Sequence, residues 1–548
     1  MNGWRWFALL LCGAAILFTV GINWGLPSWN GWAADELHPR SWERAVTPET
    51  HAGWHARYPP LHFTILNTLA KPVRWAMSEE GPIPKDSWHQ NLWLTMAARV
   101  LSVLMALSTL VVLFFIGNYL VAGRIRPPTT TGLFAALIMA LTAPYVYYAK
   151  MANLESPYLL WFACSLLFYL RLLNRPRLRD AIFFGLAAAA TVATKDQAYA
   201  LYALAPMPVL LSLARQQDAN SIFSRLARAT VDRRFMAAGI SAAFGYAVFQ
   251  NLIFNWVRFS HHVDLLLGPM SSPYREYGHG VTDQLLLAKA FVQQTVFALN
   301  PLLFIICVIG ILWTLRRARR TTERGTTRRC QGLGARREAR LLGGALVLAV
   351  SYYITLIAVI GFTFDRYVLP VTLILSLAGA RCFALWLERS QHQKASRTLS
   401  AASMIVVLGV SLLYAASVDT RMVADGRYAI EDWVSSRAPR AEVLAIGRTK
   451  HVPRFQRLPW SKIYRTDGGI LDRARPRFVA INITDLRAPR ERAFVERMDR
   501  GELGYVRALT HQGRPLFNLL YFGDLYFGDV GTSQRFVNPE IAVWERLP

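Results

Sequence analysis

Apolar residues in this chain come in long runs broken by short polar stretches. A helix needs about 20 mainly apolar residues to cross a bilayer. Runs that approach this length fall at roughly 6–26, 92–119, 131–149, 156–173, 181–195, 197–214, 235–256, 297–315, 341–362, 367–387 and 399–417. The pattern predicts a mainly α, polytopic bundle of about eleven transmembrane spans. After residue 417 the runs shorten to EVLAIG, RFVAINIT, LFNLLYFG and IAVWERL, separated by Arg, Asp, Gly and Pro. Residues 418–548 therefore read as a small soluble α/β domain, about 130 residues being an ordinary domain size. Residues 1–417 form the membrane part.

Two segments strain this scheme. Residues 59–77 (PPLHFTILNTLAKPVRWAM) are apolar enough to be taken for a span, but they carry His62, Asn67, Lys71 and Arg74 and an internal Pro72. They read as a helix lying in the outer interface. Residues 283–296 (DQLLLAKAFVQQTV) read in the same way, ahead of the span at 297.

Composition supports the membrane assignment. The chain has 548 residues, 53% of them hydrophobic, and a mean hydropathy of +0.24. Disorder is excluded, and an ordinary soluble enzyme is disfavoured. The formal charge of +26 invites a nucleic-acid reading, but much of it sits in short loops between apolar runs, where it sets orientation. Loop 316–340 holds ten Arg against two Glu. With 121–130, 171–180, 215–234 and 388–398 it should be cytoplasmic. The N-terminus is then cytoplasmic, and the C-terminal domain is external, as is the long loop 27–91. Residues 6–26 read as a span rather than as a signal peptide cleaved near Ala33-Ala34. The five cysteines (Cys12, Cys164, Cys307, Cys330, Cys382) show no disulfide framework and no zinc spacing.

The expected outer face gathers the polar chemistry. Loop 27–91 carries Asp35, Glu36, His38, His51, His55, Arg57 and His62, and holds five of the eleven histidines. Three short stretches join it: KMANLESP at 150–157, ATKDQAY at 193–199 and FDRYVLP at 364–370. Each has a plain structural explanation. Lys150 can snorkel, Asn153 and Glu155 can cap a helix ahead of Pro157, Lys195 can pair with Asp196, and Arg366 can anchor a span. Four polar clusters converging on one end of a helix bundle nonetheless suggest a site. Glu36, His55, His261 and His262 are the candidates for a divalent metal, although no fixed ligand spacing appears.

Taken in order, these pieces resemble the GT-C glycosyltransferases. Within them the likeness is to the polyprenyl-phosphate-sugar-dependent group that includes protein O-mannosyltransferases and aminoarabinose transferases. The resemblance rests on Asp35-Glu36 after the first span, Tyr58-Pro59-Pro60-Leu61-His62, Arg99, Asn153-Leu154-Glu155-Ser156-Pro157, Ala193-Thr194-Lys195 and Arg366-Tyr367-Val368-Leu369-Pro370. It covers roughly residues 1–390. Glu155 stands where the family usually has Asp, and Tyr58 stands where many members have Lys or His, with Arg57 one residue earlier.

The resemblance implies transfer of a sugar from a polyprenyl phosphate to an acceptor hydroxyl, with inversion, at the outer face of a prokaryotic cell membrane. Asp35 and Glu36 would be the catalytic pair, with Asp35 as the base. Lys195, Arg57, Arg366 and Lys150 would face the donor phosphate, and His62, Asn153, Glu155 and Tyr367 would complete the substrate site. For Glu36 and Glu155 three roles stay open: orienting the acceptor, binding a metal or holding the loop. The partners implied are the lipid-linked donor, a protein, lipid or glycan acceptor, and membrane lipid. Nucleic acid is not among them, and no cofactor other than the metal is in view. The competing reading is a lipid-linked-sugar flippase or other transporter. It would place polar groups near the bilayer midplane, where Arg99 is the main example. A membrane scaffold leaves Asp35-Glu36 unexplained.

Overall fold

The computed structural model describes all residues except 1–2, 29–30, 47–56, 78–87, 126–127, 219–220, 269–274, 324–328, 391–393, 439–441, 456–459, 462–468, 487 and 521–530. The membrane part is helical throughout. It opens with α1 (Gly3–Thr19), α2 (Pro39–Val46), α3 (Leu61–Ala76), α4 (Trp88–Ala122), α5 (Thr130–Ala140), α6 (Ala143–Ala149), α7 (Glu155–Asn174) and α8 (Leu178–Val192). It continues through α9 (Tyr199–Tyr202), α10 (Pro206–Ala214), α11 (Ile222–Thr230), α12 (Arg233–Phe249), α13 (Trp256–Leu267) and α14 (Val281–Glu323). The last membrane helices are α15 (Arg329–Tyr352), α16 (Ala358–Ile360), α17 (Leu369–Ser390) and α18 (Lys394–Val423).

Every expected span meets a helix, but the count of eleven is not reached by length and hydropathy. Seven helices among the described residues are long and apolar enough to cross, or eight if the bent pair α5–α6 is one span. The expected spans at 6–26, 181–195 and 235–256 meet helices of only 17, 15 and 17 residues. The segment 59–77 is the single helix α3, with Pro72 inside it. The segment 283–296 lies in the first of two helices that make up α14, and the helical geometry breaks between them at Asn300, where φ is +60°. Pro301 has no N–H to continue the ladder. The Asn300 side chain caps the helix that follows, accepting from Leu302 N at 3.0 Å and Leu303 N at 3.2 Å and donating to Ser411 Oγ at 2.9 Å.

α17 is the central post. Every residue from Leu369 to Leu385 is buried, as expected of a helix that is apolar on all sides. α5 and α14 pack on it, α4 packs between α5 and α7, and α15 bridges α7 and α14. The approach to α14 is very tight: a Cβ on Gly310 would lie 1.9 Å from the Ala378 carbonyl oxygen. α5 and α6 meet at 73°. That bend delivers Tyr147, Tyr148 and Lys150 to the end of the bundle where the polar loops meet.

The C-terminal part is the small α/β unit that the shortened runs predicted. α19 (Gly426–Ser435), α20 (Gly469–Ala474) and α21 (Pro489–Asp499) flank β1 (Val443–Ile446), β2 (Trp460–Ser461), β3 (Phe478–Asn482), β4 (Tyr505–His511) and β5 (Ile541–Arg546). The strand order is β2-β1-β3-β5-β4. β1 is parallel to β2 and β3, while β5 is antiparallel to β3 and β4. Alternate residues sort to two faces. Val443, Phe478, Ala480 and Val543 pack with Ile430 and Val434 of α19. Leu444, Val479, Ile481 and Trp544 pack with Leu471 of α20 and with Phe494 and Met498 of α21. Helices cover both faces, which is why β1 and β3 are apolar without alternation.

Two tryptophans of the first loop join this unit to the membrane helices. Trp24 Nε1 donates to Asp425 Oδ2 at 2.8 Å, and Trp32 Nε1 donates to the Val452 carbonyl at 3.1 Å. The guanidiniums of Arg427 and Arg454 lie 3.8 Å and 5.2 Å from the Trp32 ring centroid, a cation–π arrangement.

Candidate active site

The loop that follows α1 is shaped around Glu36. Both of its carboxylate oxygens accept from Arg99, Oε1 from Nε and Oε2 from Nη2, each at 2.7 Å. Oε1 also accepts from Ala152 N at 3.2 Å. Arg99 spends its remaining donor on the Ile22 and Trp24 carbonyls. Both side chains are buried. Gly31 makes the approach feasible: its φ is +62°, and a Cβ there would meet Glu36 Oε2 at 2.4 Å. The charge of Arg99, the main polar group expected near the bilayer midplane, is thus matched by the loop rather than left for a ligand.

Asp35 is turned the other way. Its φ is +53°, a left-handed conformation that Asp tolerates better than most residues. This sends the two neighbouring carboxylates to different places. The Asp35 side chain is 45% exposed and pairs with Arg366 Nη1. Arg366 opens the 3-10 turn Asp365–Val368 that leads into α17. Its Nε also faces Glu155 Oε1 at 3.9 Å. Glu155, in the first turn of α7, accepts from Lys195 Nζ at 2.7 Å. Lys195 stands 4.8 Å from the Tyr158 ring and 5.7 Å from the Tyr367 ring. The Tyr367 hydroxyl accepts from Gln197 at 3.2 Å. The structure therefore brings together Asp35, Arg366, Glu155, Lys195 and Tyr367 in one alternating row of charges, from four stretches distant in sequence.

Electrostatics follow from this row. Burial raises the Asp35 carboxyl, but the Arg366 guanidinium, reinforced by Lys450 and Arg57, outweighs it and holds the group below its ordinary value. Burial and the negative charge of Asp35 push the Tyr58 phenol up to about 12. Arg57 lies over the Tyr58 ring at 5.0 Å.

Other expected site residues are placed differently. Lys150 is fully buried and donates to the Leu17 and Val20 carbonyls at 2.9 and 2.8 Å, and it pairs with Asp419 of α18. It secures the end of α1 and does not join the Asp35 row. Asn153 Oδ1 accepts from Glu155 N at 3.0 Å in the turn that leads into α7, while its buried Nδ2 meets no acceptor among the described residues. His62 is buried in α3 with both ring nitrogens unpaired among the described residues. Burial lowers its imidazole to about 3, so it stands as a neutral ring and not as a cation. Lys195 pairs with Glu155 and not with the adjacent Asp196. Asp196 instead meets His262 Nε2 at 3.0 Å.

The metal candidates do not assemble. Among the described residues no three His, Cys, Asp or Glu side chains come close enough to hold an ion. Glu36 is engaged by Arg99 and His262 by Asp196. His261 is half-buried on α13, and His55 lies outside the described residues.

Two contributors have no site role assigned from the sequence. Asp365, next to Arg366, is fully buried. It accepts from Tyr148 Oη at 3.0 Å, Thr532 Oγ1 at 2.6 Å and Ser533 N at 3.1 Å. It ties the 3-10 turn to the C-terminal unit and so fixes where Arg366 stands. Lys450 comes from the short turn Thr449–His451 after β1 and reaches the charge field of Asp35 and Glu36. Nothing in RTKHVP marks it out among the many basic residues of that domain.

A groove of about 550 Å³ lies elsewhere, between α1 and α18. It is lined by Leu17, Val20, Leu412 and Val423, with Arg514 at its edge, and its acidic residue Asp419 is already paired with Lys150.

No family model matches the chain, and no curated protein matches it. Among solved structures it is similar to ArnT from Cupriavidus metallidurans in the apo state, with 12% identity over 87% of this chain and 93% of that one and a TM-score of 0.44. The same protein bound to undecaprenyl phosphate is similar over 98% of both chains, with 11% identity and a TM-score of 0.41. The arabinosyltransferase EmbB from Mycobacterium smegmatis is similar over 70% of this chain and 31% of that one, with 14% identity and a TM-score of 0.40.

Proposed function

We propose that this integral membrane protein is a glycosyltransferase that moves a sugar from a polyprenyl-phosphate-linked donor to an acceptor hydroxyl at the outer face of the membrane. The observation that carries the reading is the row Asp35–Arg366–Glu155–Lys195, in which one accessible carboxylate stands beside cations at the end of a helix bundle. Asp35 takes the proton of the acceptor hydroxyl. The hydroxyl oxygen attacks the anomeric carbon as the bond from that carbon to the phosphate oxygen breaks. The phosphate leaves with the electron pair and gains one negative charge. One displacement inverts the anomeric centre. Arg366 and Lys195 face the charge that develops on the leaving group, the kind of stabilisation that contributes most when donors are held in place beforehand. Glu36 is a positioning residue on this reading, since Arg99 holds both its oxygens.

The test is transfer by purified full-length protein supplied with polyprenyl-phosphate sugars. Glycolipid and glycoprotein profiles of cells with and without the chain would narrow the acceptor class. Loss of a glycoconjugate in the deleted strain, restored by the wild type and not by Asp35→Asn, is expected. Unchanged profiles, together with movement of a lipid-linked sugar across vesicles by the purified protein, would overturn the enzyme reading in favour of a transporter.

A further inference from the structure

The cations of the site differ in how far they are already compensated. Arg99 is matched by Glu36, Arg366 by Asp35 and Lys195 by Glu155, each within ion-pair reach. A cation paired in this way offers a phosphate only part of its field, because the neighbouring carboxylate cancels the rest. Lys450 has no carboxylate within ion-pair reach among the described residues, and the turn that carries it docks on Trp32, just before Asp35 and Glu36 in the chain. Burial disfavours its ammonium, and those two carboxylates work against that cost.

The turn that carries Lys450 is held from several sides. Arg427 Nη1 donates to the Lys450 carbonyl at 3.0 Å. His451 Nδ1 meets Asp485 Oδ2 at 2.7 Å, and its ring stacks on Phe536 at 4.1 Å. Asn482 Nδ2 donates to the His451 carbonyl at 2.7 Å. Trp32, three residues before Asp35, donates to the Val452 carbonyl at 3.1 Å. The same Arg427 lies over the Trp32 ring at 3.8 Å. These contacts fix the backbone of the turn against the loop that carries Asp35 and Glu36, with the Lys450 side chain half-buried there.

We infer that Lys450, presented by the C-terminal domain, is a substrate-binding residue that contacts the phosphate of the lipid-linked donor across the mouth of the site. The inference rests on the glycosyltransferase reading and adds to it that the external domain completes the phosphate site. The phosphate gains charge as it leaves, and an ammonium without a carboxylate partner is the group best able to answer that gain.

The test uses full-length protein in detergent, with undecaprenyl phosphate and uncharged undecaprenol as probes. Wild type should prefer the phosphate. Lys450→Ala should weaken undecaprenyl-phosphate binding about 10–100-fold, the worth of one lost hydrogen bond to a charged group. Lys450→Arg should recover most of the affinity, and undecaprenol binding should not change. Thermal unfolding of each variant checks that the fold survives. If Lys450→Ala proves unstable, Lys450→Gln replaces it with a side chain of similar reach. Equal phosphate affinity in wild type and the neutral variants would overturn the Lys450 assignment while leaving the enzyme reading intact. Wild type that does not distinguish the phosphate from the alcohol would overturn both.

Discussion

Glu36 and Arg99 form a closed, buried pair, two hydrogen bonds of 2.7 Å between side chains that solvent scarcely reaches. Breaking such a pair by removing one partner leaves a buried charge uncompensated, a loss on the order of 3–5 kcal/mol. Arg99→Met and Glu36→Ala should therefore lower the unfolding temperature sharply in detergent. The fraction that does fold should still bind a polyprenyl phosphate. Unfolding temperatures equal to wild type would mean that the pair contributes no stability.

Asp35→Asn should behave in the opposite way. Asn keeps the size and tolerates the left-handed backbone at this position, so stability should change little. The transfer rate should fall about 10²–10⁴-fold if Asp35 is the general base. Near-normal transfer by folded Asp35→Asn would remove the base from the mechanism.

The acid limb of the pH profile reports on the same residue. A carboxyl held below its ordinary value stays ionised down to a lower pH. Its work as a base is then fully present above the ordinary value of about 3.9 and is lost only as the pH falls through its lowered value. The limb for kcat should lie below that ordinary value. Arg366→Met removes the main source of the lowering and should move the limb upward, whatever it does to the height of the profile. A limb that stays in place in Arg366→Met would point to another base.

The helices were legible because membrane crossing leaves a long apolar signature. Every expected span met a helix, and α3 was separated from the spans by its His, Lys, Arg and Pro. The bends at residues 141–142 and at Asn300 were not legible, because they depend on neighbours: Ser411 lies 111 residues from the Asn300 side chain it receives. At the site, the residue types were readable but their partners were not. Lys195 beside Asp196 suggested a local pair, whereas the fold gives Lys195 to Glu155 and Asp196 to His262. Asp35 and Glu36 looked like a couple, and a single left-handed residue sends them to different arginines. Lys450 could not be singled out, since its position beside Asp35 exists only once the two parts of the chain dock.

Lys150 tests how far motif and role separate. Its contacts are the Leu17 and Val20 carbonyls and Asp419. Lys150→Met should destabilise the protein, and Asp419→Asn should do so less because Asn still accepts a hydrogen bond. Neither should change the affinity of folded protein for undecaprenyl phosphate. A drop in that affinity at unchanged stability would return Lys150 to the substrate site.

Orientation is open to direct measurement. Reporter fusions after residues 176, 228, 330 and 394 should read cytoplasmic, and those at 85, 275 and 480 external, given where the Arg-rich loops fall. A cytoplasmic signal at 85 would mean that α3 crosses the membrane, and the site would then be divided between the two sides.

The hydrogen bond from Trp24 to Asp425 joins residues 401 positions apart, and that between Tyr148 and Ser533 spans 385. Contacts of such separation form late, because the intervening chain must be made and ordered first. The loop that carries Asp35 is thus made hundreds of residues before the groups that clamp it. It must wait unclamped while the helices between are inserted, so the geometry around Asp35 is completed only after the C-terminal unit has folded onto the bundle.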